Sequence, residues 1–141
     1  VLMEKGLFCK NHEIQWSCMV DGSRMNFMKA EDIYGIFGNA LDNAIEHVIL
    51  VPDPEKRIIH MEVSLRKQFI YAEVRNYCNG EVKIKNGFPV TTKQDAANHG
   101  FGIKSISYTV KKYGGTIQFG VKDHFFSMRI LIPKEGNRCS S

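Results

Sequence analysis

Between residues 58 and 66 the sequence reads IIHMEVSLR, where Ile59, Met61, Val63 and Leu65 alternate strictly with His60, Glu62, Ser64 and Arg66. Period-two alternation puts the apolar side chains on one face of an extended strand and the polar ones on the other. After only Lys67 and Gln68, FIYAEVRNY repeats the pattern with Ile70, Ala72 and Val74, so the two runs predict a hairpin with one apolar face. That face needs a covering layer, and upstream of it lies one. From Asp32 to Ile49, the residues Ile33, Ile36, Phe37, Ala40, Leu41, Ala44, Ile45 and Val48 recur at helical spacing, until Pro52 and Pro54 close the helix.

The rest of the chain follows the same logic. EIQWSCMV at 13–20 predicts a strand ended by Asp21-Gly22, and TIQFGVK and FFSMRILI predict two more around Asp123-His124. Ile103, Ile106, Ser107, Val110 and Tyr113 predict a second helix, terminated by Gly114-Gly115. Strands joined by short turns outnumber helices, which makes the class α+β: a mainly antiparallel sheet with helices packed on one face. Residues 79–102 stand apart, punctuated by Gly80, Gly87, Pro89, Gly100 and Gly102 with little periodicity; a loop of that length in a compact domain is usually a lid or a binding segment.

With 141 residues, 43% of them hydrophobic and 24% charged, the chain suits one domain and has no room for two. Residues 12–133 are expected to be that domain, preceded by a residual linker at 1–11 and followed by a tail at 134–141. No apolar run approaches the roughly 20 residues that span a bilayer, and the chain is expected to be soluble. It begins at Val1 and is expected to be a piece of a longer protein.

Cys9, Cys18, Cys78 and Cys139 lie far apart, without zinc-ligand spacing, and are expected as free thiols in a reducing compartment. The net charge of +4 is localised: between Glu81 and Tyr113 stand Lys83, Lys85, Lys93, Lys104, Lys111 and Lys112 against Glu81 and Asp95, six minus two. Clustered lysines suit an anionic ligand, and equally a solvated basic surface. No interleaving of aromatics with arginines marks a nucleic-acid platform, so nucleic acid is not an expected partner.

The first helix carries GNALDNAIEH, with Asn39 and Asn43 four residues apart on one face and Glu46 a turn further. Asparagine is a mediocre helix former, so the pair marks either a solvated edge or a site. Asn76 ends its strand on the parity of Ile70, Ala72 and Val74 and therefore points toward the helix. In NHGFGIKSI, Gly100 and Gly102 immediately precede a helix, where bare glycines let backbone N–H groups approach a phosphate at the positive end of the helix dipole.

Together these segments resemble the nucleotide-binding domain of the GHKL superfamily of ATPases and sensor histidine kinases, and look closest to the Agr-type quorum-sensing kinases. DIYGIFGNALDNAIEH is similar to that family's N box, NYCNG stands where its first glycine box lies, and TTK followed by HGFGIKSI is similar to the second; the likeness spans about residues 12–133. It implies the Bergerat ATP-binding fold, a two-layer α/β sandwich. It implies ATP and Mg2+ as cofactors, with Asn43 binding the metal and Asn76 accepting a hydrogen bond from the adenine amino group. Gly80 matches the last glycine of the first box. Gly100 and Gly102 would line the triphosphate, Lys93 and His99 would touch phosphate, and about 80–99 would be the ATP lid. Asn39 and Asn43 are the candidate catalytic residues.

Two departures bear on mechanism. Asn76 replaces the usual aspartate and Cys78 a usual glycine, although an amide carbonyl still accepts a hydrogen bond. Asn39 stands where the ATP-hydrolysing branches of the family carry a glutamate that activates water; an amide takes no proton, so phosphoryl transfer to a partner group is favoured. The resemblance thus implies the catalytic domain of a sensor histidine kinase. Its partners would be a dimerisation domain carrying the phosphoacceptor histidine, absent from this chain, and a response regulator. The parent protein would be a homodimeric, membrane-bound bacterial receptor with this domain in the cytoplasm. His12-Glu13 has the acceptor dipeptide but is read as entering a strand; His47, His60 and His124 are read as surface or loop residues. Two other readings stand: an anti-sigma-type serine kinase, and a degenerate interaction module that no longer holds nucleotide.

Overall fold

The computed structural model describes residues 2–21, 27–78, 84–85, 87–89 and 100–134. The hairpin forms where the alternation requires, as β2 (Ile58–Arg66) and β3 (Phe69–Tyr77). Its register pairs Met61 with Val74, Val63 with Ala72 and Leu65 with Ile70, apolar against apolar on one face. β3 also pairs antiparallel with β7 (Phe125–Pro133), and β7 with β6 (Thr116–Lys122). β1 (Gln15–Val20) lies parallel to β2, which needs a long crossover, and α2 (Ala30–Val48) provides it. The five strands run in the order β1-β2-β3-β7-β6, a mixed and mainly antiparallel sheet.

α2 and α3 (Gly100–Lys112) cover one face of that sheet. Ile36, Leu41, Val48, Ile106 and Val110 from the helices meet Ile59, Val63, Ala72, Met128 and Ile130 from the strands, all buried in one core. The opposite face carries the charged residues: Glu73 pairs with Arg129 and Arg75, and Arg66 lies over the Tyr71 ring. The architecture is the α+β, two-layer arrangement expected from the sequence. α3 ends as Gly114-Gly115 predict: Gly115 N–H donates to the Val110 carbonyl, Gly114 N–H to that of Lys111, and Gly114 adopts φ 75°. Asp123 and His124, both at positive φ, make the tight turn between β6 and β7.

Two regions depart from the sequence reading. Residues 1–11 are expected as a linker, yet Leu2–Asn11 forms a helix, α1, whose Cys9 is buried in the core and whose Lys5 forms an ion pair with Asp42 of α2. In the stretch read as aperiodic loop, β4 (Ile84–Lys85) and β5 (Phe88–Pro89) pair around Gly87 at φ 80°. Two-residue strands are too short to show alternation in a sequence. Among the described residues no helix is long and apolar enough to cross a membrane.

Candidate functional site

α2 buries one stripe, Ile36, Phe37, Ala40, Leu41, Ala44, Ile45 and Val48, and leaves a second, polar stripe along its flank. Asn39, Asn43 and His47 follow one another at four-residue steps and are all half-buried. At one end of this stripe Asn39 meets α3: a Cβ added to Gly102 would stand 3.8 Å from Asn39 Oδ1. At the other end, His47 Nδ1 lies 3.4 Å from Oδ1 of Asn76. Eight residues of helix separate the two ends, a rise of about 12 Å. Asn43 sits midway.

Asn76 lies where the strand parity puts it. It is 1% exposed, registered opposite Ile59 of β2 and Phe126 of β7, and faces the helices. A buried amide must have partners, and it has them: Nδ2 donates to the Tyr77 carbonyl at 3.1 Å, and Oδ1 faces His47. The His47 ring stands edge-on to Phe126, with centroids 5.4 Å apart at 89°. His47 is therefore not the surface histidine read from sequence. The signal that would have found it is its place at four residues beyond Asn43 on the face that Asn39 and Asn43 share.

The structure brings Asn39, Asn43, Asn76 and Gly102 to one side of the helical layer, with Gly100 as the first residue of α3. Gly80, Lys93 and His99 lie outside the described residues. Neither Asn39 nor Asn43 has a side-chain hydrogen-bond partner among the described residues, so both amides are available to a ligand. Asn43 is half-buried, and its amide carries a carbonyl oxygen, the kind of hard donor that a magnesium ion accepts while keeping several waters. Asp42, the neighbouring carboxylate, is turned to the α1 side by Lys5. Cys78, just past Asn76, is buried, and burial pushes its thiol up.

His12 differs from its reading as the entrance to a strand. It occupies the turn after α1, stacked on Phe8 with ring centroids 3.9 Å apart, because the chain turns there through Glu13 at φ 57° before β1 begins.

The architecture is shared with solved structures. The catalytic domain of histidine kinase ThkA superposes with a TM-score of 0.69 at 16% identity, over 94% of this chain and 87% of that one. The histidine kinase AdeS of Acinetobacter baumannii matches with a TM-score of 0.62 at 13% identity, over 95% and 61%. The blue-light activated histidine kinase EL346 of Erythrobacter litoralis matches with 0.64 at 14%, over 95% and 59%. These identities speak for the fold. No curated protein matches in sequence. The family model described as the GHKL domain matches residues 28–133, from the segment before α2 to the end of β7, and thereby encloses Asn39, Asn43, Asn76, Gly100 and Gly102: the chain belongs to the GHKL-domain family.

Proposed function

We propose that this chain is the ATP-binding catalytic domain of a sensor histidine kinase, which presents Mg-ATP for phosphoryl transfer to a histidine on a dimerisation domain. The observation that carries the reading is the polar stripe of α2: Asn39 against Gly102 at the head of α3, Asn43 in the middle, and Asn76 beyond. A base bound at Asn76 would lie at one end of that stripe and a phosphate at the N-terminus of α3 at the other, where free backbone N–H groups and the helix dipole favour negative charge. The motif likeness to the Agr-type kinases, the response regulator as downstream partner and the membrane-bound parent belong to the same proposal.

The residues have separate roles. Asn76 accepts from the exocyclic amino group of adenine. Asn43 offers its amide oxygen to the metal, and Gly100 and Gly102 keep the head of α3 bare for the triphosphate. Residues 80–99, with Gly80, Lys93 and His99, act as the lid over it. Mg2+, when bound, supplies charge neutralisation on the phosphates. Asn39 cannot accept a proton, so it holds and orients without activating water, which leaves the γ-phosphate for an imidazole nucleophile. The chain contributes position and electrostatics.

Calorimetric titration with a non-hydrolysable ATP analogue, with and without Mg2+, tests the reading. Affinity that rises with magnesium and is lost in Asn43→Ala supports it. Absence of binding at high ligand concentration would leave the interaction module, which the contacts of Asn76 with His47 and Tyr77 also accommodate. A phosphorylated partner stable in acid would instead identify a serine kinase.

A further inference from the structure

We infer that His47 is the positioning residue that selects the base, by fixing which end of the Asn76 amide faces it. The inference rests on the adenine reading above. An aspartate at this place would offer two equivalent acceptor oxygens. An asparagine offers one acceptor end and one donor end, and a rotation of half a turn about its last bond exchanges them. A chain with asparagine here needs something to hold the amide.

The surroundings of Asn76 show what does so. One end lies 3.1 Å from the Tyr77 carbonyl, and a carbonyl accepts only from N–H, so this end is Nδ2 on chemical grounds. Oδ1 is then the end facing His47 Nδ1 at 3.4 Å. For that contact to attract, His47 must carry a proton on Nδ1, which makes it the donor. The ring has little freedom to turn away, because Phe126 stands against it edge to face. Among the described residues only His47 engages Oδ1, which leaves its other lone pair for an amino group on a purine. Without His47, the amide loses one of the two restraints that the described residues give it. Rotated, it would present N–H instead and favour a 6-oxo purine over a 6-amino purine.

The test measures affinity of the full chain for non-hydrolysable ATP and ITP analogues in the presence of Mg2+. The wild type should prefer the adenine nucleotide. His47→Leu should narrow the ratio about fivefold, the worth of one neutral hydrogen bond. His47→Asn, whose amide N–H stands near the place of Nδ1, should restore it. If His47→Leu does not fold, His47→Phe keeps a ring against Phe126 without the donor and should show the same narrowing. Equal weakening of both nucleotides would reveal a merely structural histidine and overturn the inference, as would an unchanged ratio. A wild type that binds neither analogue would sink the nucleotide reading itself, whereas one that binds both alike would sink only the orienting role.

Discussion

At the scale of single residues, the site divides into groups that the fold needs and groups it does not. Asn76 is buried and satisfied, so altering it disturbs the core as well as any ligand. Gly102 is the opposite case. An added Cβ would meet Asn39 at 3.8 Å, an ordinary contact, and alanine is the better helix former. We therefore expect Gly102→Ala to melt at the same temperature as the wild type or slightly higher, yet to bind a nucleotide at least about tenfold more weakly by obstructing a charge-assisted hydrogen bond to phosphate. A thermal melt beside a calorimetric titration checks both halves, and a variant with unchanged affinity would remove Gly102 from the site. Asn39 and Asn43 stand out in the sequence because asparagine is a poor helix former and the two share one flank of a helix with a strong apolar stripe. For His47 the helical spacing shows only the shared face; its contact with Asn76 crosses from α2 to β3 and depends on the fold.

At the scale of elements, legibility followed periodicity. β2, β3 and α2 each carry one unbroken pattern over nine residues or more, and each forms where the pattern lies. α1 carries none: in LMEKGLFCKN, Leu7 and Phe8 remain exposed and Cys9 is the buried anchor, so the helix depends on docking rather than on an apolar stripe. The Lys5–Asp42 ion pair and the bond from the Ile14 N–H to the Cys9 carbonyl fasten it at its two ends. α2 holds a different lesson, because Gly35 interrupts it without a packing reason: a Cβ there would meet nothing within 4 Å. Gly35→Ala should accordingly raise unfolding free energy by about 0.5–1 kcal/mol, read as a higher midpoint in urea with an unchanged slope. Gly115 forms the contrast, since its Cβ would collide with the Leu131 carbonyl oxygen, a backbone atom that cannot swing aside. Gly115→Ala should lower the same midpoint sharply, and a neutral result would mean that α3 and β7 separate more easily than their packing implies.

Across the whole molecule, one polar cluster ties the two covering helices together at the end remote from Asn76. Asp32, in the first turn of α2, accepts hydrogen bonds from the hydroxyl of Tyr113 and from Lys112 at the end of α3, while the Lys29 N–H donates to the same hydroxyl. Tyr113 is buried, with Phe27 at its edge. Anchoring the end of α3 to the start of α2 fixes the antiparallel alignment by which the head of α3 meets Asn39. The cluster also gives the fold a pH dependence of definite sign. The hydrogen bonds from Tyr113 and Lys112 hold the Asp32 carboxyl below its ordinary value, and the bond to Asp32 holds Lys112 above its own. For Asp32 the unfolded chain, with a pKa of about 3.9, takes up its proton first as pH falls. Its contribution is complete above that value and is lost as pH drops through the lower folded value. For Lys112 the contribution is complete below about pH 10.4 and is lost as pH rises through the higher folded value. Stability should therefore show a plateau between these limits and an acid limb to which Asp32 contributes. The stabilities of the wild type and Asp32→Asn from denaturant titrations should begin to converge as pH falls below about 4 and meet below the folded value, since protonation progressively removes from the wild type what the substitution removes at every pH. Parallel curves over that range would show that Asp32 keeps its ordinary pKa in the fold, and that the junction of α2 with α3 is held by the burial of Tyr113 rather than by its charges.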